Sequence, residues 1–209
     1  MNTRPSSGDN NLIIVKYLQS FTEYLGESHI GDMGGERVVY FPGRFQPFHK
    51  GHLLAIEQAA QIFGVRVIPV QIIKPNTSSE LADIYAQIRN SMTQTYPSWI
   101  ADFLVSQSNY IPHVLEALHQ RGFQPIGLVC GSDRTAAYQA QLNQIRNQGK
   151  IQSIPTSFAI QEVMQRQDNL SGNALRAALQ KEDWATFASM TPENLHIYRE
   201  ALKKHLNYD

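Results

Sequence analysis

Residues 37–56, RVVYFPGRFQPFHKGHLLAI, pass from a short apolar strand through a Pro-Gly turn into an apolar helical pattern. His49, Lys50, Gly51 and His52 open that helix. No other stretch constrains the chain as strongly. It sets two histidines, a glycine and an arginine where a strand hands over to a helix. In an open α/β sheet that is where ligands bind, and a helix N-terminus suits an anion such as phosphate.

The rest of the chain supports such a sheet. Helix and strand signals alternate from Arg37 onward. Strands are predicted at Val38–Phe41, Val65–Ile73, Trp99–Val105, Pro125–Cys130 and Ser153–Ile160. Helices are predicted at His49–Phe63, Leu81–Met92, Tyr110–Gln120, Ser132–Asn147, Gly172–Gln180, Asp183–Ser189 and Pro192–Leu206. Alternation with helices of this length argues for parallel strands joined by right-handed crossovers. The chain has 209 residues, enough for one such domain with additions at its ends. Residues 1–36 read as an N-terminal extension: a polar start, a short amphipathic helix over 12–25 and a glycine linker at 31–35. Residues 37–209 form the domain proper.

Composition narrows the partners. Eighteen basic and eighteen acidic residues leave no net charge, so no global field attracts nucleic acid or a membrane surface. Apolar runs fall far short of the roughly 20 residues that span a bilayer, and the polar start has no signal-peptide pattern. The single cysteine, Cys130, excludes an internal disulfide and reads as a buried thiol. A cytoplasmic setting is the expectation. Trp99 and Trp184 read as core residues rather than ligand stackers.

In the first motif each residue type has a use. Gly43 ends the strand where a side chain would block close backbone approach. His49 and His52, three apart on a helix, share a face, and Gly51 leaves that face open. Their imidazoles can donate to phosphate oxygens, and a polyphosphate nearby would favour their charged form. Arg44 and Lys50 add permanent charge. A zinc site is disfavoured, because H-x-x-H is not the i, i+4 spacing of a zinc helix and no third ligand is near. No metal ligands are assigned.

GRFQPFHKGH resembles the signature of the nucleotidyltransferase superfamily that carries the H-x-G-H motif. Its G-R-F-Q-P form is most similar to archaeal-type and phage-type nicotinamide mononucleotide adenylyltransferases. Cytidylyltransferases and pantetheine-phosphate adenylyltransferases more often have G-T-F-D or G-S-F-D. The resemblance covers residues 37 to about 190. It implies a doubly wound, Rossmann-like α/β fold of about five parallel strands with C-terminal helices. Residues Ser20–Glu27 lie outside it; they are similar to short N-terminal targeting segments of tailed-phage proteins, or form a docking helix.

Two further motifs fit the resemblance. Gly131-Ser132-Asp133 follows a strand and opens a helix; it is similar to the family's G-[SA]-D turn around the nucleotide. Asp133 is suited to ribose hydroxyls, and equally Ser132 or Asp133 to a helix N-cap. Leu170–Arg176, LSGNALR, resembles the I-S-x-T-x-x-R motif that binds ATP phosphates. Ser171 and Arg176 match it, whereas Asn173 stands where the family has threonine. Asn can still cap a helix and donate a hydrogen bond. Phe45 belongs to the first turn. Lys74, at the end of the second strand, and Arg89, on the next helix, are either site cations or ordinary surface.

The resemblance implies transfer of AMP from ATP to a mononucleotide phosphate, with pyrophosphate released. His49, His52, Lys50 and Arg176 would stabilise the phosphates. Mg²⁺ would be bound mainly through the triphosphate, and relatives are often homo-oligomers. Two rivals share the fold: transfer to another acceptor such as FMN or a phospho-alcohol, and a nucleotide-binding protein without catalysis, which Asn173 favours. A class I aminoacyl-tRNA synthetase is disfavoured by the short chain and the lack of a K-M-S-K-S-like loop.

Overall fold

A computed structural model describes residues 35–147, 154–163 and 170–206. The helix expected at 12–25 and most of the glycine linker lie outside these residues.

Five strands form one parallel sheet: β1 (Glu36–Gly43), β2 (Arg66–Ile72), β3 (Leu104–Ser106), β4 (Phe123–Cys130) and β5 (Ala159–Glu162), in the order β3-β2-β1-β4-β5. Among the described residues, seven α-helices connect or follow them: α1 (Lys50–Phe63), α2 (Ser79–Thr95), α3 (Ile111–Gln120), α4 (Ser132–Asn147), α5 (Gly172–Gln180), α6 (Trp184–Met190) and α7 (Arg199–His205). The order reverses between β1 and β4, and such a switch point opens a crevice at the strand ends.

The two faces of the sheet follow from strand alternation. Val38 and Tyr40 of β1, Ile68 and Val70 of β2, and Leu128 and Cys130 of β4 point the same way. They form one buried cluster with Val114, Leu115 and Leu118 of α3 and Tyr138, Leu142 and Ile145 of α4. Right-handed crossovers put α1 and α2 on the opposite face, where Val39, Ile56, Ala59 and Val67 are fully buried. Gly64 ends α1 in the left-handed region (φ 63°), its N–H bonded to the Ala60 carbonyl at 2.9 Å. Ser78 caps α2 by accepting from Leu81 N–H at 3.3 Å.

Three expected segments are corrected. β5 begins six residues later than the predicted start, because a turn at Pro155 occupies the approach. Phe158 N–H bonds the Pro155 carbonyl at 2.9 Å, and Arg146 donates to the Thr156 and Phe158 carbonyls. β3 shrinks to three residues, since Trp99 and Ile100 fold back on the Tyr96 carbonyl and Ile100 makes only an isolated bridge to Val67. The last predicted helix divides into a 3₁₀ turn, Glu193–Tyr198, and α7. Asn194 and Tyr198 in that turn bond Ser91 and the Gln87 carbonyl of α2. The tryptophans are half-buried rather than core. Trp99 stacks on Tyr96, and Arg199 sits over Trp184 at 5.1 Å. Cys130 is buried, at 1 % exposure. Among the described residues, no helix is long and apolar enough to cross a membrane.

Candidate active site

The crevice at the switch point is a cavity of about 540 Å³. Its walls come from the turn after β1, the first turn of α1, the β4–α4 junction and the start of α5. Gly43, Arg44, Phe45, His49, Gly51, His52, Gly131, Ser132, Asp133, Ser171, Asn173 and Arg176 all line it. These residues come from three motifs spread over more than 130 positions, and the sheet topology gathers them.

The two histidines form a unit. Their rings stack with centroids 3.7 Å apart and 24° between planes. His52 Nδ1 accepts the His49 backbone N–H at 3.3 Å. A neutral His52 therefore carries its proton on Nε2, as a donor. Burial pushes the His52 pKa well below the usual 6.5, and the charge on His49 pushes it further. Both effects disfavour the charged form of His52, the form that a polyphosphate nearby would favour. Phe45 and Phe48 pack against the His52 ring, with centroids at 4.8 and 5.3 Å.

Gly51 is dictated by this stack. A Cβ there would stand 3.0 Å from His49 Nδ1 and 3.1 Å from its Cε1. Gly43 is covered in the same way by the Phe45 ring, 3.0 Å from where a Cβ would sit. Phe45 itself is 3 % exposed and takes φ 49°, a left-handed conformation that costs a non-glycine residue energy.

On the opposite wall Ser171 caps α5, its hydroxyl accepting from Ala174 N–H at 3.2 Å. Arg176, one turn along, donates to the Gln46 carbonyl at 2.8 Å and to Asn173 Oδ1. This ties α5 to the turn after β1. Asn173 thus orients the arginine. Neither α1 nor α5 has an acidic residue in its first turn, so both helix ends suit an anion. Among the described residues lining the cavity, Asp133 is the one carboxylate.

Lys50, Lys74 and Arg89 do not line the cavity. Lys50 is turned away from the histidine face; its ammonium donates to the Ser189 carbonyl at 2.7 Å and the Ala188 carbonyl at 3.4 Å, at the end of α6. Here it clamps two helices, away from the place beside a triphosphate that the motif suggests. Lys74 is exposed in a turn closed by Thr77. Arg89 reaches inward to Gln71 instead, at 2.6 Å. Sequence reasoning gave no role to Gln46, Arg134 or Gln71. Arg134 lines the cavity beside Asp133, 3.5 Å from its carboxylate, and its place directly after the G-S-D turn was the available signal.

Residues 40–178 match the family model described as cytidylyltransferase-like. A solved structure from Vibrio parahaemolyticus, provisionally described as a nicotinate-nucleotide adenylyltransferase, is similar in fold, with TM-score 0.53 and 14% identity. The match covers 79% of this chain and 99% of that one. No curated protein matches the chain.

Proposed function

Because the chain belongs to the cytidylyltransferase-like family, we propose that it transfers the adenylyl group of ATP to a mononucleotide phosphate. Nicotinamide mononucleotide is the acceptor we assign, giving NAD and pyrophosphate. The observation that carries this reading is the convergence of the His49–His52 stack and the Ser171–Arg176 helix start on one cavity at the β1/β4 switch point. The G-R-F-Q-P turn supports the adenylyl branch and this acceptor. The description given to the Vibrio protein also concerns a pyridine mononucleotide.

The chemistry follows from the donors. An acceptor phosphate oxygen attacks the α-phosphorus in line, the bond to the β-phosphate oxygen breaks, and pyrophosphate leaves with that electron pair. No covalent enzyme intermediate is needed. His52 Nε2–H, fixed by the bond at Nδ1, meets the charge that builds on the phosphate oxygens. His49 supports it from the stacked ring. Arg176 holds the triphosphate tail, and the Ser171 end of α5 supplies backbone donors. Arg44 takes a second phosphate, and Asp133 accepts from ribose hydroxyls. Among the described residues, no group of three or more His, Cys, Asp or Glu side chains could hold a metal ion. Mg²⁺ would enter with the substrate, as the magnesium complex of the triphosphate.

Pyrophosphate release is to be measured with MgATP or MgCTP against nicotinamide mononucleotide, FMN and phosphocholine. Release with MgATP and nicotinamide mononucleotide, with NAD formed, is expected. Release with another pair alone reassigns the acceptor. No release with any pair rejects transferase activity.

A further inference from the structure

Gln71 is 2 % exposed, a buried amide at the end of β2. It pairs in register with Gly43, the last residue of β1 before the turn. Its Oε1 accepts from Arg89 Nη1 at 2.6 Å, and its Nε2 donates to the Arg44 carbonyl at 3.4 Å. The direction of this chain is fixed by chemistry. A guanidinium only donates, so Arg89 must face the amide oxygen, and the amide N–H₂ is left facing the carbonyl. The carbonyl it meets belongs to the turn in which Phe45 holds its left-handed conformation and carries its ring onto Gly43 and His52. A strained turn persists only where its surroundings hold it.

We propose that Gln71 is a positioning residue for nucleotidyl transfer: oriented by Arg89, it holds the Arg44–Phe45 turn, and through it the Arg44 side chain and the Phe45 ring under His52. Arg89 then acts through Gln71 and does not touch substrate. The kinetic part of this proposal rests on the transferase reading above; its structural part does not.

The test uses the full chain with Gln71→Glu, Gln71→Met, Arg89→Met and the double variant Gln71→Met/Arg89→Met. Gln71→Glu keeps an acceptor for Arg89 but sets a carboxylate oxygen against the Arg44 carbonyl, so the fold is held while the turn loses its donor. Hydrogen–deuterium exchange is expected to quicken by about tenfold in residues 44–48 of that variant, with the sheet unchanged. Exchange equal to wild type in that turn overturns the proposal whether or not the protein is a transferase. In pyrophosphate release, kcat is expected to fall about tenfold in Gln71→Glu with KM for the acceptor within twofold. Arg89→Met is expected to add nothing on the Gln71→Met background. A further loss there, or a rise in acceptor KM from Arg89→Met alone, makes Arg89 a substrate contact and overturns the relay. Wild-type protein without turnover counts against the transferase reading, and the exchange measurement still decides the turn.

Discussion

The imidazoles of His49 and His52 lie nearly parallel, 3.7 Å between centroids, with the His49 backbone N–H bonded to His52 Nδ1. Loss of water around the half-buried His52 ring disfavours its charged form, and two rings so close cannot both be charged without repulsion. Its folded pKa is therefore lowered well below 6.5. The unfolded chain then binds the proton that the native state refuses. Stability is expected to be flat above about pH 6.5 and to fall as pH drops below it, down to the lowered native pKa. The slope from this one group is at most about 1.4 kcal/mol per pH unit. Urea denaturation of wild type and His52→Gln from pH 5 to 8 checks it: the variant should lack that part of the slope.

Gly51→Ala should break the stack. Its methyl would press on the His49 ring at 3.0 Å, displacing the imidazole. A drop of about 1–3 kcal/mol in stability is expected from the crowding. A fall of about 100-fold in kcat is expected from the misplaced donor. Denaturation and pyrophosphate release on one preparation separate the two effects.

Asn173 was the residue that favoured an idle pocket. Its side-chain oxygen instead holds Arg176 in place, alongside the Gln46 carbonyl. Asn173→Ala should raise KM for ATP by about tenfold, as expected for losing a bond to a charged group. Asn173→Thr should keep KM within about threefold. Steady-state kinetics at varied ATP checks both.

Lys50 clamps the last carbonyls of α6 to the start of α1. Lys50→Met should cost about 1–2 kcal/mol of stability. Titration with MgATP should show affinity within about threefold of wild type. A loss of affinity of tenfold or more would return Lys50 to the triphosphate.

The alternation of apolar strands and helices was plain in the sequence, because each element is long enough to show its period. The shortened β3 and late β5 were not, since the Tyr96 fold-back and the Pro155 turn are closed by short-range bonds that leave no periodic signal, and Arg146 of α4 holds the second. Motifs at strand and helix ends were legible for the same local reason: His49, Gly51 and His52 are near in sequence and in space. Proximity in sequence does not set Lys50 beside the histidines in space, since an α-helix turns about 100° per residue and carries position 50 off their face. Gln71 gave no sign. A glutamine ending an apolar strand looks like ordinary polar alternation, and its partners Arg44 and Arg89 lie 27 and 18 positions away.

The proposed transfer makes His52 the group that stabilises the developing charge. It is tested most directly by pyrophosphate release from MgATP and nicotinamide mononucleotide, comparing wild type with His52→Ala at pH 7.5. Turnover in the wild type and a fall of at least about 100-fold in the variant are expected, with the fold retained by circular dichroism. Undiminished turnover in folded His52→Ala protein would contradict it.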